Sequence, residues 1–225
     1  MIKRIKTNKA RIKDQLFKYF AMLCTGLCLL VLALLLIDII SKGIGRINWS
    51  FFSNLPSRHF DESGIYTALI GMVSLLFLTV LIAMPIGIMA AIYLQEYGTK
   101  NRFARIVEIN IANLAGVPSV IYGILGLQIF VRIAGFGNST LAGALTLALL
   151  IMPIVIVATR EAIKAVPNSL REASFGMGAT KWQTTRNVVI PAAWGGILTG
   201  VILSVSRAIG ETDPLIVVGA LVYVP

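Results

Sequence analysis

The sequence predicts an all-α, polytopic membrane protein, a bundle of transmembrane helices joined by polar connections. Of its 225 residues, 57% are hydrophobic and 13% are charged, whereas a soluble domain has about 25% charged residues. The apolar runs are about 20 residues or longer, which suits membrane-spanning helices, whereas barrel strands are alternating segments of about 10 residues. Composition and run length therefore agree on the fold class.

The net charge of +10 could indicate a nucleic-acid-binding protein, but the basic residues lie at the ends of the apolar runs rather than in one patch. They are better explained as topology signals. The single histidine excludes HExxH-type zinc chemistry, and the two cysteines, four residues apart, form no metal motif. We expect no metal site and no catalytic residues.

The apolar runs divide the chain into a basic N-terminus at 1–18, a first span at 19–40 and a transmembrane domain at 64–225. We expect Pro85 to kink or break the second span. The longest polar connection, called the coupling loop below, covers residues 160–190 and is rich in helix formers. The spans of the transmembrane domain are predicted at 64–94, 106–131, 139–159 and 191–222.

The distribution of basic residues predicts the topology. If the N-terminus is cytoplasmic, fifteen of the twenty Lys and Arg residues lie in cytoplasmic segments and four in external ones. This asymmetry follows the positive-inside rule. It places the N-terminus and the coupling loop in the cytoplasm.

The stretch 204–215, SVSRAIGETDPL, carries ionisable residues inside the fifth apolar run. Such residues cost several kcal/mol at bilayer depth and usually serve function. Arg207 and Glu211 are four residues apart, so on a helix they share one face and can pair. The guanidinium suits phosphate oxygens because its planar fork donates several fixed hydrogen bonds. Alternatively, the two residues form a buried pair that fixes helix registry or docks a sister subunit.

Two further expectations concern the carboxylates of this stretch. Glu211 either holds Arg207 in position when no anion is present or selects a protonated anion by accepting its hydrogen bond. Asp213 precedes Pro214 and is expected at a helix break or at the outer mouth of the pathway.

The coupling loop contains EAS at 172–174, then Gly178, then VVIP at 188–191. This pattern resembles the EAA loop of ABC importer permeases, in which a short coupling helix sits in a cleft of the ATPase subunit. An ordinary amphipathic surface helix is the alternative. The resemblance implies ATPase contacts for Arg171, Glu172, Ala173, Ser174, Gly178 and Ala179.

The motif RAIGETDPL at 207–215, together with this loop, resembles the phosphate-specific (Pst) branch of the type I, MetI-like importer permeases, and its A-type (PstA-like) subunits in particular. In that family an Ala commonly stands where this chain has Asp213. The resemblance implies a translocation pathway for inorganic phosphate that includes Ser204, Arg207, Glu211 and Thr212.

The resemblance also implies a complex with a second, C-type permease subunit, a cytoplasmic ATPase dimer that carries ATP and Mg²⁺, and an external phosphate-binding protein. The location would be a bacterial or archaeal plasma membrane. A permease for another oxyanion or small solute is the nearest alternative, while an intramembrane enzyme that uses Glu211 and Asp213, or a membrane scaffold, fits less well. Because such permeases have a sixth span, we expect that one is missing from this sequence.

Overall fold

The computed structural model describes residues 8–57, 59, 62–98 and 102–219. These residues form helices and connections, with no strand among them. The chain divides into two compact units, residues 1–66 and residues 67–225. The first seven residues of the predicted cytoplasmic N-terminus and residues 220–225 lie outside the described residues.

The first unit consists mainly of one long helix, α1 (Asn8–Gly43), followed by a 3₁₀ turn at Ile44–Arg46 and the short helix α2 (Trp49–Ser53). None of the apolar stretch of α1 is buried among the described residues. Its 36 residues extend about 54 Å, which exceeds the bilayer core of about 30 Å. A helix that is apolar on all sides needs an apolar surrounding, and α1 has the length and composition to cross a membrane.

The second unit is built around α6 (Thr140–Lys164). Its apolar stretch is 61% buried within the chain, against 28% for the corresponding stretch of α3 (Tyr66–Ile92). Small residues explain the close packing of α6 on α9 (Ile190–Gly210): a Cβ at Gly200 would lie 2.5 Å from the Cβ of Ala158. Small side chains let membrane helices approach closely, and Gly200 is required at this contact.

Helix α3 has no break at Pro85, where a kink or a break is expected. It continues through Pro85 to Ile92 and then into a π-helical turn at Tyr93–Tyr97, so the expected break does not occur. Gly87 packs closely against α6, because a Cβ there would lie 2.8 Å from a methyl group of Val155. Helix α6 likewise continues through Pro153. Proline is tolerated inside membrane helices where neighbouring groups satisfy the freed backbone.

The third apolar run, predicted as a span at 106–131, consists of two helical pieces. It forms α4 (Arg102–Leu114) and a second helical piece, which begins with α5 (Ser119–Gly126) and ends in a π-helical stretch at Leu127–Ile133. The two pieces are bent by 99°. Pro118 accounts for the bend because it lacks an N–H and disfavours helical geometry in the preceding residue. The Tyr122 hydroxyl and the Val117 N–H both donate to the Leu114 carbonyl at the end of α4, at 2.9 and 3.1 Å.

The coupling loop contains two short helices, α7 (Asn168–Gly176) and α8 (Lys181–Thr184), and a π-helical turn at Thr185–Val189 leads into α9. Helix α9 ends at Gly210, and the separate helix α10 (Asp213–Val218) follows. The fifth apolar run, predicted as a span at 191–222, is thus divided between two helices within the described residues. Pro214, at the second position of α10, suits a helix start because its missing N–H is not needed there.

Candidate functional site

The first candidate site is the break between α9 and α10. Glu211 has extended backbone angles, φ −85° and ψ 110°, and ends α9. Arg207 lies in the last turn of α9, where a cation interacts favourably with the negative end of the helix dipole. The break therefore places an arginine at the C-terminus of one helix next to a carboxylate that follows it.

Arg207 and Glu211 are in contact. Nε of Arg207 donates to Oε1 of Glu211 at 3.2 Å, and the side chains are 43% and 16% exposed. Among the residues that the structure describes, this is the hydrogen bond that the Arg207 side chain makes. The two terminal nitrogens of the guanidinium, which carry four of its five N–H donors, are thus not engaged by the described part of the chain. The predicted pairing is present, but it spans the helix end rather than one continuous helix face.

The other two predicted pathway residues have different surroundings. Ser204 is fully buried, and its hydroxyl donates to the Gly200 carbonyl of its own helix at 2.8 Å. Thr212 is exposed and precedes α10, and its carbonyl accepts the backbone N–H groups of Leu215 and Ile216. The structure therefore presents Thr212 beside Glu211, whereas the Ser204 hydroxyl is turned to its own backbone.

Asp213 joins α10 to α5. Its Oδ2 accepts a hydrogen bond of 3.2 Å from Oγ of Ser119, the first residue of α5. As the first residue of α10, Asp213 also lies where the helix dipole stabilises a negative charge. Close packing reinforces this contact, because a Cβ at Gly123 would lie 2.9 Å from Cα of Pro214. Asp213 is therefore at a helix break, as expected, and it connects two short helices.

A buried apolar cluster lies beneath the site. It includes Tyr122 of α5 and Ala208 of α9, together with residues of α3 and α6. The residue after Arg207 is thus packed in the core, while Arg207 itself is partly exposed. This arrangement fixes the backbone under Arg207.

The second candidate site is the coupling loop, whose shape is set by local hydrogen bonds. Gly178 has φ +82°, a left-handed conformation that favours glycine and ends α7. Thr180 and Gln183 form a capping box that begins α8, with the Thr180 N–H donating to Gln183 Oε1 at 2.8 Å. The Ser174 and Thr184 hydroxyls are hydrogen-bonded at 2.9 Å, which holds α7 against α8.

Arg171 is engaged within the protein. Its terminal nitrogens donate to the carbonyls of Ile163 and Val166 at 2.9 and 2.7 Å, to Oδ1 of Asn168 at 3.2 Å and to Oε1 of Glu96 at 3.0 Å. The Arg171 side chain is 15% exposed. The structure thus does not present Arg171 as a free contact residue for another protein. It connects α7 to the C-terminus of α6 and to the turn that follows α3.

The remaining predicted coupling residues line the outside of α7 and the turn after it. Glu172 and Ala173 are exposed, and Glu172 makes no hydrogen bond or ion pair with the residues that the structure describes. Ala179 is partly exposed, and its N–H donates to the Ser174 carbonyl at 3.2 Å. Large apolar side chains are exposed around them: Leu170, Phe175, Met177 and Trp182.

Two ion-pair partners of this region were not identified as site residues from the sequence. Glu96 pairs with Arg171, and Arg160 of α6 pairs with Glu108 of α4 at 2.8 Å. Both contacts join residues far apart in the chain, so spacing gave no signal. In the sequence, the one sign that Glu96 has a buried partner is its position as a lone acid directly after an apolar run. The described residues contain no group of three or more His, Cys, Asp or Glu side chains that could hold a metal ion.

The fold and the two sites define a multi-pass membrane protein with a charged break in its last described span and a structured loop before that span. The chain belongs to the family of binding-protein-dependent transport system inner membrane components, whose model matches residues 83–223.

Individual relatives agree with the family. The phosphate transport system permease protein PstA 1 of Mycobacterium tuberculosis (strain H37Rv) is 36% identical over 217 residues, covering 94% of this chain and 70% of the relative. PstA of Haemophilus influenzae is 39% identical over 183 residues, covering 81% and 64%. The probable ABC transporter permease protein YqgI of Bacillus subtilis is 32% identical over 195 residues, covering 85% and 66%.

A solved structure supports the fold. A chain of the MetNI methionine ABC transporter, in inward-facing conformations, matches with a TM-score of 0.53 and 23% identity, covering 65% of this chain and 68% of that chain. The all-α, MetI-like fold predicted from the sequence is thus confirmed.

Proposed function

We propose that this chain is a permease subunit of an ATP-driven importer and forms part of the translocation pathway for inorganic phosphate. The observation that carries the proposal is the similarity to a phosphate transport permease over 94% of the chain. The geometry of Arg207 supports it, because a guanidinium with disengaged terminal nitrogens can donate to phosphate oxygens.

In this proposal Arg207 binds the anion and Glu211 positions Arg207. Glu211 accepts from Nε, the nitrogen nearest the side-chain stem, so it fixes the guanidinium without occupying its outer edge. The pair is neutral overall when no anion is bound, which lowers the cost of keeping an arginine within the membrane domain. Thr212, exposed beside Glu211, offers a further hydroxyl to the anion.

Asp213, the residue that departs from the family pattern, is assigned a structural role. A carboxylate that pointed into an anion pathway would repel phosphate. The Asp213 carboxylate instead accepts from Ser119 at the start of α5. Its presence is therefore compatible with phosphate as the substrate.

The exposed side of α7 is proposed as the contact surface for the ATPase. Small residues, Ala173 and Ala179, permit close approach, and Glu172 has no partner among the described residues. Exposed apolar side chains beside them, such as Phe175 and Met177, provide the surface that would be buried on association. ATP and Mg²⁺ would bind to the ATPase dimer, and this subunit would catalyse no reaction itself.

The proposed assembly also includes a C-type permease subunit and an external phosphate-binding protein. The charge asymmetry supports a cytoplasmic N-terminus and a cytoplasmic coupling loop at 160–190. The transmembrane domain would begin at residue 64, and its location would be a bacterial or archaeal plasma membrane.

Uptake of labelled phosphate in a strain that lacks this gene tests the proposal. The plasmid-borne gene should restore uptake, and excess unlabelled phosphate should compete while sulfate should not. Restored uptake that sulfate suppresses as well as phosphate does would favour a permease for another oxyanion. No restoration, with the protein present in the membrane, would contradict the proposed function.

A further inference from the structure

Arg171 joins three elements through one side chain. Two of its acceptors are the carbonyl of Ile163, in the last turn of α6, and the carbonyl of Val166, two residues after α6 ends. A third, the Asn168 side chain, belongs to α7, and the fourth is the Glu96 carboxylate. Since a guanidinium donates in fixed directions, four simultaneous acceptors leave Arg171 little freedom to move.

Glu96 lies in the π-helical turn Tyr93–Tyr97 that ends the α3 span. Its side chain is 11% exposed and its ion pair with Arg171 measures 3.0 Å. The same turn has a second contact with the coupling loop, because the Lys181 ammonium lies 5.0 Å from the centre of the Tyr97 ring. π-helical turns are rare and concentrate at functional positions. One turn at the end of α3 is therefore attached to both α7 and α8.

We propose that Glu96 is a positioning residue for energy coupling: through Arg171 it attaches the segment 168–184 to the end of α3, so that a displacement of this segment is passed to α3. The inference rests on the proposed function, since it requires that an ATPase moves this segment. Without Glu96, Arg171 would still donate to the carbonyls of Ile163 in α6 and Val166 just after it, but α7 would lose its charged attachment to α3. Movement of the segment would then be transmitted to α6 and α9 and only weakly to α3.

The mechanical link predicts a specific defect. The Glu96→Gln variant keeps the size of the side chain and one acceptor oxygen but removes the charge. We expect it to assemble and to hydrolyse ATP, while the phosphate moved per ATP hydrolysed falls about tenfold, within the range of coupling effects between distant sites. A role confined to folding would lower the amount of assembled transporter and leave this ratio unchanged.

The experiment measures phosphate uptake and ATP hydrolysis in the same proteoliposomes, which contain the complete transporter and the phosphate-binding protein. Glu161→Gln is the matched control, because Glu161 forms an exposed ion pair with Lys164 on the neighbouring helix α6. The control should retain the wild-type ratio. Glu96→Asp, which keeps the charge on a shorter side chain, should give an intermediate ratio.

A wild-type ratio in Glu96→Gln would overturn the inference. If that variant does not assemble, Glu96→Asp decides: a reduced ratio supports the link, and an unchanged ratio contradicts it. Failure of the proposed function is distinguishable, because wild-type vesicles would then take up no phosphate, and the inference would fall with it.

Discussion

Arg171 and Arg207 are the same residue type in two regions of the chain, and they differ in how many acceptors surround them. Within the part of the chain that the structure describes, Arg171 donates to four acceptors and is 15% exposed, whereas Arg207 donates to one and is 43% exposed. A guanidinium whose terminal N–H groups are engaged within the chain holds the structure together. One with free donors is suited to bind something else.

The difference also changes what each carboxylate partner does. Glu96 is a distant residue brought to Arg171 by the fold, and it links two parts of the molecule. Glu211 is four residues from Arg207 and pairs within the same stretch of chain. The first pair holds two elements together, and the second adjusts the local charge and geometry of one arginine.

The largest expected effect is on stability, from Arg171→Ala. The substitution leaves the mostly buried Glu96 carboxylate without its charged donor and removes one donor from the carbonyls of Ile163 and Val166. Loss of one partner of a buried ion pair costs about 3–5 kcal/mol. We expect a clear drop in the thermal unfolding midpoint of the detergent-purified protein. Arg186→Ala, at an exposed position of the same loop, should leave the midpoint nearly unchanged. Equal midpoints for the two variants would contradict the structural role of Arg171.

A smaller effect is expected from Asp213→Ala. The variant loses the hydrogen bond from Ser119 and a favourable charge at the start of α10, which together contribute about 1–2 kcal/mol at an exposed position. The unfolding midpoint should fall modestly, while phosphate uptake stays within about twofold of wild type if the charge has no role in the pathway. Asp213→Asn, which keeps an acceptor for Ser119, is the control. A large change in anion selectivity would show that Asp213 lies in the pathway.

The smallest effect is expected from Gly178→Ala. A Cβ meets no atom within 4 Å at this position, so the cost is the left-handed backbone conformation alone, about 1 kcal/mol. Gly176→Ala, in the same segment with equally open space and no positive φ, should be neutral or slightly stabilising. A comparison of the thermal unfolding midpoints of the two variants distinguishes the cost of backbone strain from that of a steric clash. A midpoint for Gly178→Ala at or above that of wild type would contradict the expected cost of a left-handed backbone conformation for alanine.

Much of the fold follows from the sequence, because long apolar runs cross membranes as helices. Three prolines inside apolar runs show that helix breaks do not follow from the sequence in the same way. Pro85 and Pro153 lie inside continuous helices, while Pro118 lies in the connection between two helices that are bent by 99°. All three lie within apolar runs, and the contact of Tyr122 with Leu114 accompanies the bend at Pro118.

The candidate site was predictable only in part, for a related reason. The Arg207–Glu211 contact follows from a spacing of four residues. The Arg171–Glu96 contact joins residues 75 positions apart, and no periodicity in the sequence relates them. The resemblance to the EAA loop implied an ATPase contact for Arg171, whereas the described residues engage its terminal nitrogens within the chain.

The most direct test of Arg207 as a phosphate-binding residue is the uptake of labelled phosphate by an Arg207→Lys variant. Thermal stability and assembly with the ATPase are measured for the same variant. Lysine keeps the positive charge but not the planar fork, and the loss of one or two charge-assisted hydrogen bonds predicts a drop in uptake of about 10–100-fold. The unfolding midpoint and the assembly should match wild type. Wild-type uptake in this variant, or a loss of uptake explained by failed assembly, would contradict the assignment of Arg207 to the phosphate pathway.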